Sequence, residues 1–251
     1  MLSRVLAPLA LFAILLAGWE VYCRLTDVSP LVLPAPSGVL GALILNRAEI
    51  GGHALATLSV ATLGFSLSVG FALLTSVALH FLPRSERALM PVFAASQTVP
   101  LVALAPLMIL WFGFGLLPKV LLVILVTFFP MLLSLLSGYR QTPQAFHDLL
   151  ASMGAGRWTV FCRATLPSAR AGFLAGLRIS ATYAIVATIF AEYAGARQGL
   201  GIYILAAKNN FRADLVLAAV VVSALLTLAL LGLLQVLDRL TAKGPEARRD
   251  A

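Results

Sequence analysis

Long apolar stretches constrain the fold of this chain more than any other feature. A helix needs about 20 mostly apolar residues to cross the hydrocarbon core of a bilayer. Six stretches are close to or above that length, and they cover residues 6–22, 55–82, 88–112, 116–136, 169–191 and 215–237. Of the 251 residues, 61% are hydrophobic and 11% are charged, which is too apolar for a soluble domain of this size. The sequence therefore predicts one all-α integral membrane domain, residues 1–251, with six transmembrane helices.

The first stretch, residues 6–22, has two interpretations. A basic start followed by an apolar run is also the pattern of a secretory signal peptide. Because no Ala-x-Ala cleavage site follows the run, we expect an uncleaved first span. The mixed segment from Leu25 to His53 is predicted to be an external loop with a short amphipathic piece.

The third stretch, residues 88–112, differs from the others in its proline content. Its prolines are Pro91, Pro100 and Pro106. Proline removes a backbone hydrogen bond that lipid cannot replace, so we expect a kinked span that faces protein or a cavity. Gln97 and Thr98 lie beside the expected kink.

The distribution of Lys and Arg predicts the orientation in the membrane. Of the 18 basic residues, eleven lie on the side of the termini, the turn at residues 84–87 and the loop at residues 139–168. Six lie on the other side, and Arg178 lies inside the fifth stretch. The positive-inside rule then places both termini and the loop in the cytoplasm. The net charge of +8 does not indicate nucleic acid binding, because the basic residues lie at the ends of apolar runs, where membrane lipid is the expected partner.

Within the loop at residues 139–168, the segment from Thr142 to Pro167 is the longest polar interval in the chain. Within this loop, four apolar side chains recur at i, i+3, i+4 and i+7, the spacing of an amphipathic helix. They are Phe146, Leu149, Leu150 and Met153. Thr142 and Pro143 suit the start of this helix, and Gly154 suits its end. The pattern predicts a docking helix between spans 4 and 5, and the alternative is a helix that lies on lipid headgroups.

Sequence patterns of common active sites are missing. The sequence has no G-x-x-x-x-G-K-[S/T], no H-E-x-x-H and no Cys-x-x-Cys, and its carboxylates are scattered. Such patterns mark ATP-binding loops and metal sites. We therefore predict that the chain is not an enzyme and carries no cofactor or metal. The shortage of paired ionisable residues within the spans also disfavours an ion-driven transporter.

A few residues within the spans allow more than one role. Arg178 either extends to the inner headgroups, the interpretation that we favour, or contacts substrate. Glu20 and Glu192 lie near the outer ends of their spans and are predicted to be interfacial. Gly172 and Gly176 form a small-xxx-small step that suits close helix packing, either within the chain or across a dimer axis.

Several short segments resemble a known family. Asp148-Leu149-Leu150, followed by Gly154, Phe161 and Leu166-Pro167, resembles the EAA loop of binding-protein-dependent ABC importer permeases, with Asp in place of the usual Glu. Other segments resemble the branch that takes up nitrate, sulfonates, taurine and the pyrimidine precursor of thiamine. They are Leu33-Pro-Ala-Pro-Ser37, Val99-Pro-Leu-Val-Ala-Leu-Ala-Pro106, Leu110-Trp-Phe-Gly113 and Gly199-Leu-Gly201 before Asp214.

The resemblance implies a type I ABC importer permease in a bacterial inner membrane, with a cytoplasmic coupling helix between spans 4 and 5. Its implied partners are a pair of ATPase subunits that carry ATP and Mg²⁺, a second permease copy in a homodimer, and a periplasmic or extracellular binding protein. The residues implied to couple to the ATPase are Phe146, Asp148, Leu149, Leu150, Met153, Gly154, Phe161 and Pro167. Those implied to line the translocation path are Gln97, Thr98, Thr182 and Tyr183.

Asp148 is expected near the N-terminus of the coupling helix, where the helix dipole favours a carboxylate. Two other classes of protein remain as alternatives. A stand-alone secondary transporter would move its substrate without an ATPase partner, whereas a membrane enzyme needs a polar reaction centre that the sequence does not contain. The substrate is left open among sulfonates, nitrate, taurine and pyrimidine precursors.

Overall fold

The computed structural model describes residues 2–26 and 28–241, and all of its regular structure there is helical. The α-helices are α1 (Leu2–Leu25), α2 (Pro36–Leu45), α3 (Arg47–Phe81), α4 (Pro83–Ser96), α5 (Leu101–Phe112), α6 (Leu116–Arg140), α7 (Gln144–Ser152), α8 (Arg157–Val160), α9 (Leu166–Ser168), α10 (Arg170–Tyr193), α11 (Leu200–Asn209) and α12 (Ala213–Thr241). A π-helical turn, Phe161–Thr165, joins α8 to α9. The predicted all-α class is therefore confirmed for the described residues.

Five of these helices are long and apolar enough to cross a membrane: α1, α3, α6, α10 and α12. A sixth crossing results if α4 and α5 count as one broken span, since they meet at a bend of 101°. The sequence predicts a single kinked helix over residues 88–112, whereas the chain leaves the helix after Ser96 and starts a new one at Leu101. Pro100 explains the break, because it cannot donate a backbone hydrogen bond and it restricts the residue before it.

The centre of the fold is a three-helix core of α3, α6 and α10. Glycines bring α10 close to α6: a Cβ on Gly172 would lie 2.7 Å from the carbonyl oxygen of Ser134, and one on Gly176 would lie 2.8 Å from the Ser134 Cβ. Gly138 on α6 approaches Ala169 in the same way. The small-xxx-small step at Gly172 and Gly176 is therefore used within the chain, which resolves the choice that the sequence left open.

Gly172→Ala is expected to lower the melting temperature of the purified protein by several degrees. The added methyl group would meet the backbone of α6, which cannot move aside, and overpacking of this kind costs about 1–3 kcal/mol. Gly70→Ala on α3 is the matched control, because its added methyl group has no neighbour within 4 Å. Thermal unfolding in detergent compares the two. Equal melting temperatures for both variants would contradict the close approach of α6 and α10.

A second packed cluster joins α2, α3, α11 and α12, with Ile50, Leu200 and Tyr203 among its buried members. The helix α2 begins against α1, because the Glu20 carboxylate accepts hydrogen bonds from the Ser37 amide at 3.0 Å and from its hydroxyl at 2.8 Å. Most of α1 is otherwise exposed. The segment that the sequence predicts as an external loop is therefore largely helical, and it continues directly into α3.

Candidate functional site

The loop between α6 and α10 contains a short helix, α7, whose ends are defined by two residues. The helix begins at Gln144 after Pro143, whereas the Thr142 hydroxyl does not cap it and instead donates to the Tyr139 carbonyl at 2.9 Å. At the other end Gly154 has φ +76°, the left-handed conformation that glycine adopts without a Cβ penalty. Two backbone hydrogen bonds close this end, from the Gly154 amide to Ala151 and from the Ala155 amide to Leu150.

The apolar stripe on α7 has no partner within the described chain. Phe146 is 53% exposed, Leu149 is 58% exposed and Met153 is 74% exposed, whereas Leu150 is half-buried. Trp158, in the neighbouring α8, adds another exposed aromatic ring. We call Phe146, Leu149 and Met153 the exposed stripe. A continuous apolar surface on a polar loop is typical of a contact site for another molecule.

Asp148 is placed differently from the expectation. It is the fifth of nine residues in α7, and the first turn of this helix contains no acidic residue. The predicted stabilisation by the helix dipole is therefore wrong, since that effect fades within the first turn. The Asp148 carboxylate accepts a hydrogen bond of 3.1 Å from the Gln144 side chain and remains exposed. It is thus accessible to a positively charged partner group.

Phe161 has a different environment from the exposed stripe. It is 2% exposed and contacts the rings of His80, Phe81, Tyr139 and Trp158, with ring centroids 4.9 to 5.6 Å apart. We call these five residues the aromatic anchor. Because they come from the ends of α3 and α6 and from the loop, they fix the loop to the core. Pro167 lies in α9 and is exposed.

The break between α4 and α5 opens into a cavity of about 570 Å³. Gln97, Thr98 and Tyr183 all line this cavity, so the structure brings together three of the four predicted path residues. Thr182 instead lines a separate cavity of about 540 Å³, together with Arg178. The sequence pattern identified the first cavity through the prolines and neighbouring polar residues of the third apolar stretch.

Arg178 makes an ion pair that neither sequence interpretation includes. Its guanidinium donates to the Asp238 carboxylate at 2.9 Å, and Arg170 contacts the same carboxylate at 3.2 Å. These contacts join α10 to the end of α12. A second ion pair, between Arg140 and Glu86, joins the end of α6 to the start of α4.

Comparison with known proteins assigns the chain to a family. The family described as "Binding-protein-dependent transport system inner membrane component" matches residues 64–243. The chain belongs to this family. The matched region contains the broken helix, the loop with α7 and the α10–α11 turn. The predicted membership in the importer permeases is thereby confirmed.

Named relatives match nearly the whole permease. It is 34% identical over 224 residues to the formylaminopyrimidine transport permease protein ThiX of Halalkalibacterium halodurans, covering 89% of both chains. It is 36% identical over 232 residues to the riboflavin transport system permease protein RibX of Chloroflexus aurantiacus, covering 92% of this chain and 87% of the relative. It is also 33% identical over 249 residues to the taurine transport system permease protein TauC of Escherichia coli, covering 96% and 90%.

Two solved structures share the fold of the permease. An amino acid ABC transporter superposes with a TM-score of 0.62 at 13% identity, covering 78% of this chain and 96% of the other. The MetNI methionine ABC transporter, in an inward-facing conformation, superposes with a TM-score of 0.56 at 16% identity, covering 77% and 96%. At these identities the likeness concerns the fold alone. Together with the relatives, it identifies the protein as a transmembrane permease subunit of an ABC importer.

Glu192 is the site residue that the sequence analysis of the permease missed. It was predicted to be interfacial, but its side chain is fully buried between α3, α10 and α11. The Thr57 hydroxyl donates to its carboxylate at 2.9 and 3.0 Å, and the Gly201 amide donates to it at 2.8 Å. The Leu200 amide in turn donates to the Thr57 hydroxyl oxygen at 2.8 Å. We call Glu192, Thr57 and the first turn of α11 the Glu192 network.

Two glycines allow the first turn of α11 to reach this carboxylate. Gly199 has φ +134°, and any Cβ there would clash with the Glu192 carboxylate. A Cβ on Gly201 would lie 2.6 Å from the Glu192 Cβ. In the sequence, the Gly199-Leu200-Gly201 segment stands out only through its resemblance to the importer permeases. The segment follows Glu192 closely in the sequence, across the turn between α10 and α11. This closeness is the sequence signal that could have predicted the contact of α11 with the Glu192 carboxylate.

Proposed function

We propose that the permease crosses the membrane six times, with α4 and α5 forming one broken span. In this arrangement both termini and the loop of α7 are cytoplasmic, which agrees with the excess of Lys and Arg on that side. The ion pairs of Arg140 with Glu86 and of Arg178 with Asp238 then lie near the inner surface. Charged groups are accommodated there at a lower cost than at mid-membrane.

The exposed stripe on α7 carries the functional proposal. A separate pair of ATPase subunits, which holds ATP and Mg²⁺, would receive α7 in a surface groove. Phe146, Leu149 and Met153 would be buried in that groove, and Asp148 would meet a basic residue. Because the aromatic anchor fixes the loop to α3 and α6, movement of the ATPase subunits would be transmitted directly to the core helices.

The translocation path would form where the cavity at the α4–α5 break meets a second copy of the permease. Gln97, Thr98 and Tyr183 are exposed in the single chain. Gln97 and Thr98 lie at the break of the proposed broken span, and Tyr183 lies on α10. Polar groups and a broken backbone within a membrane are tolerated where they face protein or water. In a homodimer these groups would face both the second permease copy and the water of the path. An extracytoplasmic binding protein would deliver the solute.

The relatives point to a small organic solute. ThiX, RibX and TauC are named for formylaminopyrimidine, riboflavin and taurine, so the expected substrate is of a size that the cavity can accept.

The proposal is tested by purifying the tagged permease from its native membranes in mild detergent. We expect an ATPase subunit with a G-x-x-x-x-G-K-[S/T] loop to accompany it. The purified assembly in liposomes should then transport only when ATP is present. A permease that purifies alone and transports in response to an ion gradient would instead establish the secondary transporter.

A further inference from the structure

The cavity at the α4–α5 break has a chemical character that bears on the substrate, and this inference rests on the proposed function. Its lining consists of residues 96–101, Leu104, four residues of α6 and two residues of α10. None of these described residues has a charged side chain. Aromatic faces come from Phe129 and Tyr183, and proline faces come from Pro100 and Pro130.

On α6 and α10, the two long helices that line the cavity, the cationic residues closest in sequence to the lining residues lie outside it. Lys119 precedes Leu125 by six residues on α6, which is about 9 Å at 1.5 Å per residue. Arg178 precedes Tyr183 by five residues on α10, and its guanidinium is paired with Asp238. Neither residue lines the cavity. An anion that entered it would lose its hydration without gaining a counter-charge, which is strongly unfavourable.

Polar atoms in the cavity suit a solute that both donates and accepts hydrogen bonds. The Gln97 amide nitrogen donates to the Leu125 carbonyl at 3.2 Å, so its oxygen points elsewhere as an acceptor. Pro130 has no N–H, which deprives the Val126 carbonyl of its helical donor and leaves a second acceptor. The Tyr183 hydroxyl has no hydrogen-bond partner among the described residues, and it can act in either role.

The hydroxyl protons of Ser96 and Thr98 are already used. Ser96 donates to the Phe93 carbonyl at 2.7 Å, and Thr98 donates to the Ala95 carbonyl at 2.8 Å. Their oxygens therefore offer only acceptor capacity to a ligand. A sulfonate or nitrate has acceptors alone and would face these oxygens unfavourably.

One feature of the cavity favours an anion, namely the start of α5 at Leu101. A helix N-terminus contributes about half of a positive charge. This partial charge is opposed by the acceptors of Gln97, Ser96, Thr98 and Val126, which lie in the same cavity. It is therefore too small to replace the full counter-charge that a sulfonate requires.

We infer that the solute carried through this cavity is an uncharged, flat heterocycle with N–H or O–H donors, rather than a sulfonate or nitrate. Its ring would stack against Phe129 and Tyr183. Its donors would bond to the Gln97 and Val126 oxygens, and its ring nitrogens would accept from the Tyr183 hydroxyl. A cavity of about 570 Å³ is large enough for a substituted pyrimidine or a larger ring system.

The test measures how solutes protect a cysteine in the cavity. Thr98→Cys is introduced after Cys23→Ser and Cys162→Ser, and the full permease is reconstituted in nanodiscs with the subunits that purify with it. Cytosine and 2-methylpyrimidin-4-amine, both uncharged at mildly alkaline pH, are the neutral probes. Ethanesulfonate and nitrate are the anionic probes. The measured quantity is the rate of reaction with a membrane-impermeant maleimide.

We expect each neutral probe to slow the reaction by roughly tenfold when its concentration is ten times its Kd, since only empty sites react. The anionic probes should leave the rate unchanged. Protection by ethanesulfonate or nitrate, or by none of the four probes, would overturn the inference. Adding Gln97→Arg should reverse the preference, so that ethanesulfonate protects and cytosine does not.

Failure of the substrate assignment can be separated from failure of the proposed path. Leu67→Cys, at an exposed apolar position near the middle of α3, is the control for a site that faces lipid. If Thr98→Cys reacts no faster than Leu67→Cys, water does not reach the cavity, and both the path and the inference are wrong. If Thr98→Cys reacts quickly and only anions protect it, the path stands and the substrate class is wrong.

Discussion

Met153→Asp is expected to abolish the ATP hydrolysis that substrate transport stimulates, while the permease stays folded in the membrane. Met153 is 74% exposed in the chain, so the substitution removes little internal packing. In the proposed complex it would place a charge in an apolar groove, and burial of an unpaired charge costs several kcal/mol. Because each 1.4 kcal/mol changes an equilibrium by about tenfold, docking should weaken by at least about a hundredfold. The assay is ATP hydrolysis by the reconstituted complex.

Ala151→Asp is the matched control for this prediction. It places the same charge in the last turn of α7, but on the face opposite the exposed stripe, where Ala151 is also exposed. It should retain most of the stimulated hydrolysis. Equal activity of the Met153→Asp and Ala151→Asp variants would mean that the exposed stripe is not the docking surface.

Glu192→Ala is expected to cause the largest loss of stability among substitutions at polar residues. The change leaves the Thr57 hydroxyl and the Gly201 amide buried without their acceptor. Each unsatisfied group costs about 1–3 kcal/mol. The first turn of α11 would then lose its hydrogen bond to α10. Thermal unfolding in detergent and the amount of protein in the membrane should both show the effect.

Glu192→Gln separates hydrogen bonding from charge. Glutamine keeps one acceptor oxygen and nearly the same shape, so it can still accept from Thr57 or from Gly201. We expect Glu192→Gln to retain most of the stability that Glu192→Ala loses. If the two variants unfold at the same temperature, the hydrogen bonds of the Glu192 network do not hold α11 in place.

The features that depend on local pattern could be predicted from the sequence. The apolar stretches predicted the long helices, because burial in lipid requires a continuous run of apolar residues. The i, i+3, i+4 and i+7 spacing predicted α7, and Gly154 predicted its end. Each of these signals lies within one continuous stretch of the chain.

The features that depend on distant residues could not be predicted in this way. The aromatic anchor combines His80, Tyr139 and Phe161, which are far apart in the chain and come together only when α3 and α6 pack. The Glu192 network joins Thr57 to Glu192 across 135 positions. A lone carboxylate near the end of an apolar run gives no sign of such a partner, and its position alone predicts an interfacial residue.

The most direct test of the account is a photo-crosslink from Met153. A photoreactive amino acid replaces Met153 in the full permease, the native membranes are irradiated, and crosslinked products are identified by mass spectrometry. The same amino acid at Leu45 is the control, because Leu45 is also highly exposed and is the last residue of α2, far from the loop in the chain. The account predicts a crosslink from Met153, and not from Leu45, to an ATPase subunit with a G-x-x-x-x-G-K-[S/T] loop. Crosslinks from Met153 to lipid alone would contradict the role of α7 in coupling.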